Sequence, residues 1–262
     1  MTKVDISKVA SDNFLLAALA LPDFSLVLPH LKAASLEQGA TLIEQDTPVD
    51  TIYFPLGGMI SLVTAMDTGE VIELATAGHE SAIGLFEALG RRPSFARAVA
   101  QMPGTALTMS AESARQLATK NARLRELSFC YEQALLAQLA QTAACNALHS
   151  LDRRLARWLL QTSDRVSTKS LILTQDFVSQ MLGVSRTTVT LLAGKLQQAD
   201  IIRYSRGHIE ILDRARLEAA SCECYHTINR RIAEAYQSCD VPPPAGNLDH
   251  EKLPERFPPH QM

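Results

Sequence analysis

The eighteen residues from Gln175 to Leu192, QDFVSQMLGVSRTTVTLL, constrain this chain more than any other stretch. Val178, Leu182, Val184, Val189 and Leu192 recur at spacings that lock two short helices together, and Ser179 is small where such helices cross. Gly183 stands at the turn between them, where a left-handed backbone costs glycine nothing. Thr174 and Ser185 are placed to cap the two helices, each hydroxyl accepting from an unpaired backbone N–H. The run Thr187-Thr188-Val189-Thr190 and Gly194 make the second helix a poor one by propensity, glycine alone costing about 1 kcal/mol against alanine. Tertiary packing must therefore hold it, with Ser185, Arg186, Thr187 and Thr190 at its exposed start. Short polar groups beside an arginine there suit the reading of base edges in a DNA groove.

Ile201-Ile202-Arg203-Tyr204 and His208-Ile209-Glu210-Ile211 flank Ser205-Arg206-Gly207, which predicts a β-hairpin with a basic tip. Helix, turn, helix and hairpin in that order make a winged helix-turn-helix. Charge agrees with a nucleic-acid role. Residues 150–216 carry 11 Lys/Arg against 6 Asp/Glu, a balance of +5 in a chain whose net charge is −3. Thr174, Gln175, Lys195, Arg203, Arg206 and His208 are the candidate phosphate contacts, which position a protein while base contacts specify.

Upstream, from about Leu31 to Met109, glycines separate β-rich runs such as Thr51-Ile52-Tyr53-Phe54 and Met59-Ile60-Ser61-Leu62-Val63, with a turn signal at Asp67-Thr68-Gly69. Short strands at this spacing predict a β-roll or jelly roll. A tract free of proline and glycine follows, from Ser110 to Gln161. Within it Leu124, Leu127, Tyr131, Leu135 and Leu139 lie along one stripe of a helix over Asn121–His149, about 43 Å long at 1.5 Å per residue. Such a length invites a partner helix, so the stripe is expected to join two copies of the chain. Phe14 to Leu21 reads as an amphipathic helix stopped by Pro22 rather than as a leader. The expected division is 1–120, 121–149, 150–238, and a disordered tail over 239–262.

Five cysteines, an odd number, do not suggest a disulfide framework, and a reducing compartment, the cytoplasm, fits them. Cys222-Glu223-Cys224-Tyr225-His226 resembles a metal motif, but its flanks are helical, and on a helix Cys224 points about 200° from Cys222. Helix packing is the expectation, with no metal and no cofactor. His79-Glu80 lacks the second histidine of a zinc-protease signature, since Ile83 stands there. Neither a nucleophile elbow nor a phosphate-binding glycine loop occurs, so no enzyme is expected. No apolar run approaches the roughly 18–20 residues of a membrane span.

The glycine-punctuated roll, the long helix, Arg154-Leu155-Ala156-Arg157-Trp158-Leu159-Leu160 and LTQDFVSQMLGVSRTTVT together resemble the Crp/Fnr family of bacterial transcription regulators, over roughly residues 25–212. The resemblance implies an α+β chain: a cyclic-nucleotide-binding-like β-roll, a long dimerisation helix and a C-terminal winged helix-turn-helix. It further implies a homodimer on double-stranded DNA, with RNA polymerase as another partner and recognition helices in major grooves about 34 Å apart. Arg186 matches the family's recognition-helix arginine. Thr187 and Leu191 replace a glutamate and a second arginine, so the target site should differ. An effector pocket would involve Gly84, Leu85, Arg92, Ser94, Leu135 and Leu139. Ala82 stands where cyclic-nucleotide binders carry a ribose glutamate, Pro93 follows Arg92 in place of serine, and Leu139-Ala140 offers no hydroxyl to adenine. Cyclic AMP is therefore not expected as the ligand. No cysteine cluster precedes Cys130, which argues against iron–sulfur sensing near the N-terminus. The competing reading is a ligand- or thiol-sensing module that acts through protein partners.

Overall fold

The computed structural model describes residues 10–241 apart from Ser167 and Arg206. Two short helices, α1 (Phe14–Ala17) and α2 (Leu21–Val27), lead into the strands. The expected single helix is thus broken. Pro22 sits in the first turn of α2, where its missing N–H costs nothing, so it starts a helix rather than ending one. Asn13 caps α1 and, wholly buried, donates to the carbonyls of Pro55 and Ser81 at 3.0 and 2.9 Å.

Seven strands build the roll: β1 (Lys32–Leu36), β2 (Thr41–Ile43), β3 (Thr51–Pro55), β4 (Met59–Ala65), β5 (Val71–Ala77), β6 (Arg97–Met102) and β7 (Gly104–Ser110), with helix α3 (Leu85–Gly90) between β5 and β6. They form antiparallel sheets of order β1-β7-β3 and β2-β6-β4-β5. Leu36, Ile52, Phe54 and Leu107 from the first sheet share a core with Ile60, Leu62, Ala75 and Ala98 from the second. Strand β4 does not alternate, because its first five residues are all buried. Ile60 and Leu62 face the roll, while Met59 and Val63 join a second core on the opposite side.

That second core belongs to the C-terminal domain. After α4 (Ala111–Lys120) come α5 (Ala122–Leu148) and α6 (Leu151–Val166), then β8 (Ser170–Ile172), α7 (Gln175–Leu182), α8 (Arg186–Gln198), β9 (Ile202–Ser205) and β10 (His208–Ile211). The wing hairpin β9–β10 gains a third strand, β8, which sequence reading did not anticipate. The chain then forms α9 (Arg214–Ala220) and α10 (Cys224–Gln237).

Helix α5 presents three faces. Leu124, Leu127, Tyr131 and Leu135 are buried in the roll's own core, and Leu139 packs against it. This corrects the expectation that the stripe faces a second chain: the strongest apolar stripe serves the most demanding contact, which is intramolecular. A second face carries α10, whose Ile228, Ile232 and Tyr236 enter the same core. The third face, through Phe129, Gln133, Leu136, Ala140, Ala143 and Ala147, is open to solvent along most of its length.

Helix α10 returns along α5, and a disulfide joins Cys239 to Cys130 across 109 residues, with Cα atoms 6.4 Å apart. The odd cysteine count, which does not suggest a disulfide framework, gives no sign of this single bridge. The pairing depends on the return path of α10, which no local spacing reveals. Val241 is also buried, at 2 % exposure, so residues 239–241 are docked rather than part of a disordered tail. The rest of that expected tail lies outside the described residues. Among the described residues no helix is long and apolar enough to cross a membrane.

Candidate nucleic-acid interface

The helix-turn-helix forms as its sequence spacing requires. Val178, Leu182, Val189 and Leu192 are buried between α7 and α8, and Val184 is partly buried against them. Gly183 adopts φ +65° and ends α7. Thr174 Oγ1 accepts from the Phe177 N–H at 3.3 Å, and Ser185 Oγ accepts from the Thr188 N–H at 3.2 Å. Two helix N-termini are thereby fixed, and both suit an anion such as a backbone phosphate.

Ser185, Arg186, Thr187, Thr190 and Leu191 are exposed along the start of α8. The Arg186 side chain is 70 % exposed and pairs with Asp176 of α7. Both groups are open to water, so the pair is worth at most about 1 kcal/mol and yields readily to a competing acceptor. Leu191 is 65 % exposed, an apolar group on an otherwise polar face. Thr174, Lys195, Arg203 and His208 are exposed and Gln175 is half-buried, whereas Arg206 lies outside the described residues. Arg203 is drawn to Glu210 at 2.7 Å across the hairpin.

The basic surface is smaller than the charge count implied. Arg154, Arg157 and Arg165 point inward, at 9, 4 and 6 % exposure. Arg154 donates to the Leu182 carbonyl at 2.9 Å and so steadies the end of α7, while Arg165 pairs with Glu80 of the roll at 3.2 Å. Glu80 is thus a structural partner, and His79 beside it packs edge-on against the Phe14 ring.

The two domains meet at Glu73. Trp158 Nε1 on α6 donates to its Oε1 at 2.7 Å, and Ser61 Oγ donates to its Oε2 at 2.6 Å. Complete burial raises this carboxyl to about 7, against the lowering effect of those hydrogen bonds and of Arg157 and Arg165. The folded protein therefore holds a proton that the unfolded chain releases near pH 4.5. This group's contribution to stability is full below that value, declines as pH rises and is gone above about 7, a loss of about 3 kcal/mol. Glu73→Gln is expected to flatten the dependence of the melting temperature on pH between 5 and 7.5. An unchanged slope in that variant would assign the dependence to other groups.

A small cleft in the roll, with a cavity of only about 10 Å³, is lined by Gly84, Ser94 and Leu135 as expected, together with Glu87, Tyr131 and Glu132. Three expected residues are elsewhere. Leu85 is buried in the core, Leu139 packs away from the lining, and Arg92 is exposed outside it. Sequence reading missed the two glutamates, which come together only through the packing of α5 on α3. Burial raises Glu87, while burial and then the charge of Glu87 raise Glu132 to about 7. The Tyr131 hydroxyl is buried with no hydrogen-bond partner among the described residues.

Comparison with known proteins bears on both domains. Residues 153–220 match the model of the Crp-like helix-turn-helix domain, and residues 33–121 match that of the cyclic nucleotide-binding domain. A global nitrogen regulator from Nostoc sp. is 25 % identical over 187 residues, covering 68 % of this chain and 83 % of that protein. The structure of FixK2 from Bradyrhizobium japonicum superposes with a TM-score of 0.63 at 15 % identity, covering 73 % of this chain and 98 % of that one. A Crp/Fnr-family regulator from Thermus thermophilus gives 0.59 at 22 % identity, covering 72 and 98 %. A roll of the cyclic-nucleotide-binding type, a long helix and a Crp-like helix-turn-helix occur here in one chain and in that order, and the chain belongs to the Crp/Fnr family of transcriptional regulators.

Proposed function

We propose that the protein is a sequence-specific DNA-binding regulator, a homodimer that places one α8 helix in each of two successive major grooves. The observation that carries this reading is the uncovered start of α8, with Arg186 70 % exposed on a capped, well-packed helix. Arg186 would exchange Asp176 for a guanine edge or an adjacent phosphate, Thr187 and Thr190 would meet neighbouring bases, and Leu191 would contact a thymine methyl. Thr174, Gln175, Lys195, Arg203, Arg206 and His208 would hold the phosphates.

Arg186→Ala is expected to weaken operator binding by about 1–3 kcal/mol while leaving affinity for random duplex nearly unchanged. Arg203→Ala is expected to weaken both alike and to reduce the salt slope by about 1. Competitive binding assays on both duplexes at several salt concentrations, with the operator taken from genome-wide recovery of bound fragments, supply the test. Equal losses on both duplexes for Arg186→Ala would remove its base-reading role. Failure of the wild type to bind any duplex would favour a sensing module acting through protein partners.

The cleft in the roll does not suit a cyclic nucleotide. Glu87 and Glu132 bring a pair of carboxyls into the lining, Ala82 offers the ribose no carboxylate, and Arg92 lies outside the lining.

A further inference from the structure

Cys145 and His149 lie one helical turn apart at the end of α5, on the same face. Cys222 lies in the break between α9 and α10, and Cys224, on the other side of Glu223, opens α10. As one continuous helix this stretch would send the two thiols in different directions. The chain leaves the helix after Ala220, with Ser221 in extended conformation, and both thiols turn towards α5. His226 is exposed and takes no part.

Cys145 Sγ and Cys222 Sγ are 3.5 Å apart, Cys224 Sγ and His149 Nδ1 are 3.4 Å apart, and the four donor atoms all lie within 4.8 Å of one another. We infer that Cys145, Cys222, Cys224 and His149 Nδ1 form a tetrahedral site for a single zinc ion. A Zn–S bond of about 2.3 Å makes the edge of such a tetrahedron about 3.8 Å, within the spacing these atoms already have. All three thiols are buried, and the surroundings are arranged as around a metal site. His149 Nε2 meets Glu223 Oε1 at 3.1 Å, which directs Nδ1 to the thiols, and Gln141 Nε2 donates to Cys224 Sγ at 3.1 Å. Binding needs no oxidant or reductant. Each sulfur that joins the ion gives its proton to solvent.

The site stands beside His149 and Ser150, the two residues between α5 and α6. Zinc there would tie the end of the long helix to the start of α10 and fix the angle at which the DNA-binding domain departs. The inference does not rest on the DNA-binding reading, because metal content is measured without DNA.

The test is elemental analysis of the full-length chain, purified under reducing conditions without chelator and then given one equivalent of zinc. About one tightly held zinc per chain is expected. Cobalt in its place should give the intense visible absorption of a tetrahedral thiolate complex. Cys222→Ser and His149→Ala should each lose stoichiometric binding, and Cys130→Ser should keep it. Circular dichroism checks that each variant chain is folded. Glu223→Gln should weaken affinity about 10- to 100-fold. A folded, reduced wild type that binds no zinc would overturn the site as drawn. So would iron with acid-labile sulfide in place of zinc, or stoichiometric binding that survives in both Cys222→Ser and His149→Ala.

Discussion

Trp158→Ala is expected to destabilise the protein by about 3–5 kcal/mol through the cavity it leaves. The indole is 1 % exposed, at the centre of the core shared by α6, α7, α8 and the outer face of the four-stranded sheet. The substitution also takes a hydrogen-bond donor from Glu73, a buried carboxyl that then keeps only Ser61. An unsatisfied buried acceptor adds about 1–3 kcal/mol. In a chain of this length each kcal/mol lowers the melting temperature by roughly 2–4 °C, so a fall of about 10 °C or more follows. Trp158→Phe separates the two causes, since it restores most of the volume without the N–H. Its loss should be about a third of that of the alanine variant. Trp158 is also the chain's only tryptophan, so its fluorescence reports directly on this junction during urea unfolding. Melting of Trp158→Ala within about 2 or 3 °C of wild type would show that the two domains do not depend on this contact.

The parts of the fold that were legible in the sequence are those whose signals are local. Thr174, Gly183 and Ser185 each answer to a cap or a turn a few residues away, and the helix-turn-helix formed where they placed it. The wing was legible for the same reason, since Gly207 takes φ +79° between two strands that pair with each other. Signals that depend on distant partners misled. The stripe through Leu124 and Leu135 is real, yet sequence does not say whether an apolar stripe meets its own chain or another. The run Met59 to Val63 lacked alternation because two domains cover its two faces, which only the docked structure reveals.

Charge followed the same pattern. Three arginines counted towards a basic surface instead support the interior, where Arg154 holds a helix-end carbonyl and Arg165 answers Glu80. The count was right about the segment's sign but did not identify which groups reach solvent. The cysteines show the largest gap. Cys130 and Cys239, 109 residues apart, and Cys145 and Cys222, 77 apart, are neighbours only because α10 folds back along α5. One local clue to that path was available, in Ser221-Cys222, where a helix of strong formers runs out before the first thiol.

Leu136→Glu is expected to separate the proposed homodimer without unfolding the chain. Phe129, Gln133, Leu136, Ala140, Ala143 and Ala147 follow one another at spacings of four, three, four, three and four, the repeat of a coiled-coil seam. Phe129 and Leu136 are 60 and 56 % exposed, and the alanines beyond them let a second helix approach closely. Phe129 is held from behind by the edge of Phe86, so the seam starts from a supported aromatic. In a two-fold contact every substitution acts twice. Two leucine side chains lose about 1.5–3 kcal/mol of burial each, and two carboxylates are brought near the same axis. A weakening of dimer affinity by about a hundredfold or more follows, at about 1.4 kcal/mol per decade. Operator affinity should then fall about a hundredfold or more, because the second half-site no longer benefits from the high local concentration of a tethered partner. Circular dichroism should stay near wild type, since Leu136 lies outside the roll's core. Leu135→Glu, one residue away but 5 % exposed in that core, should unfold the chain instead. Sedimentation across a range of concentrations distinguishes these outcomes. A Leu136→Glu protein that remains dimeric at the wild-type concentration would place the contact on another face.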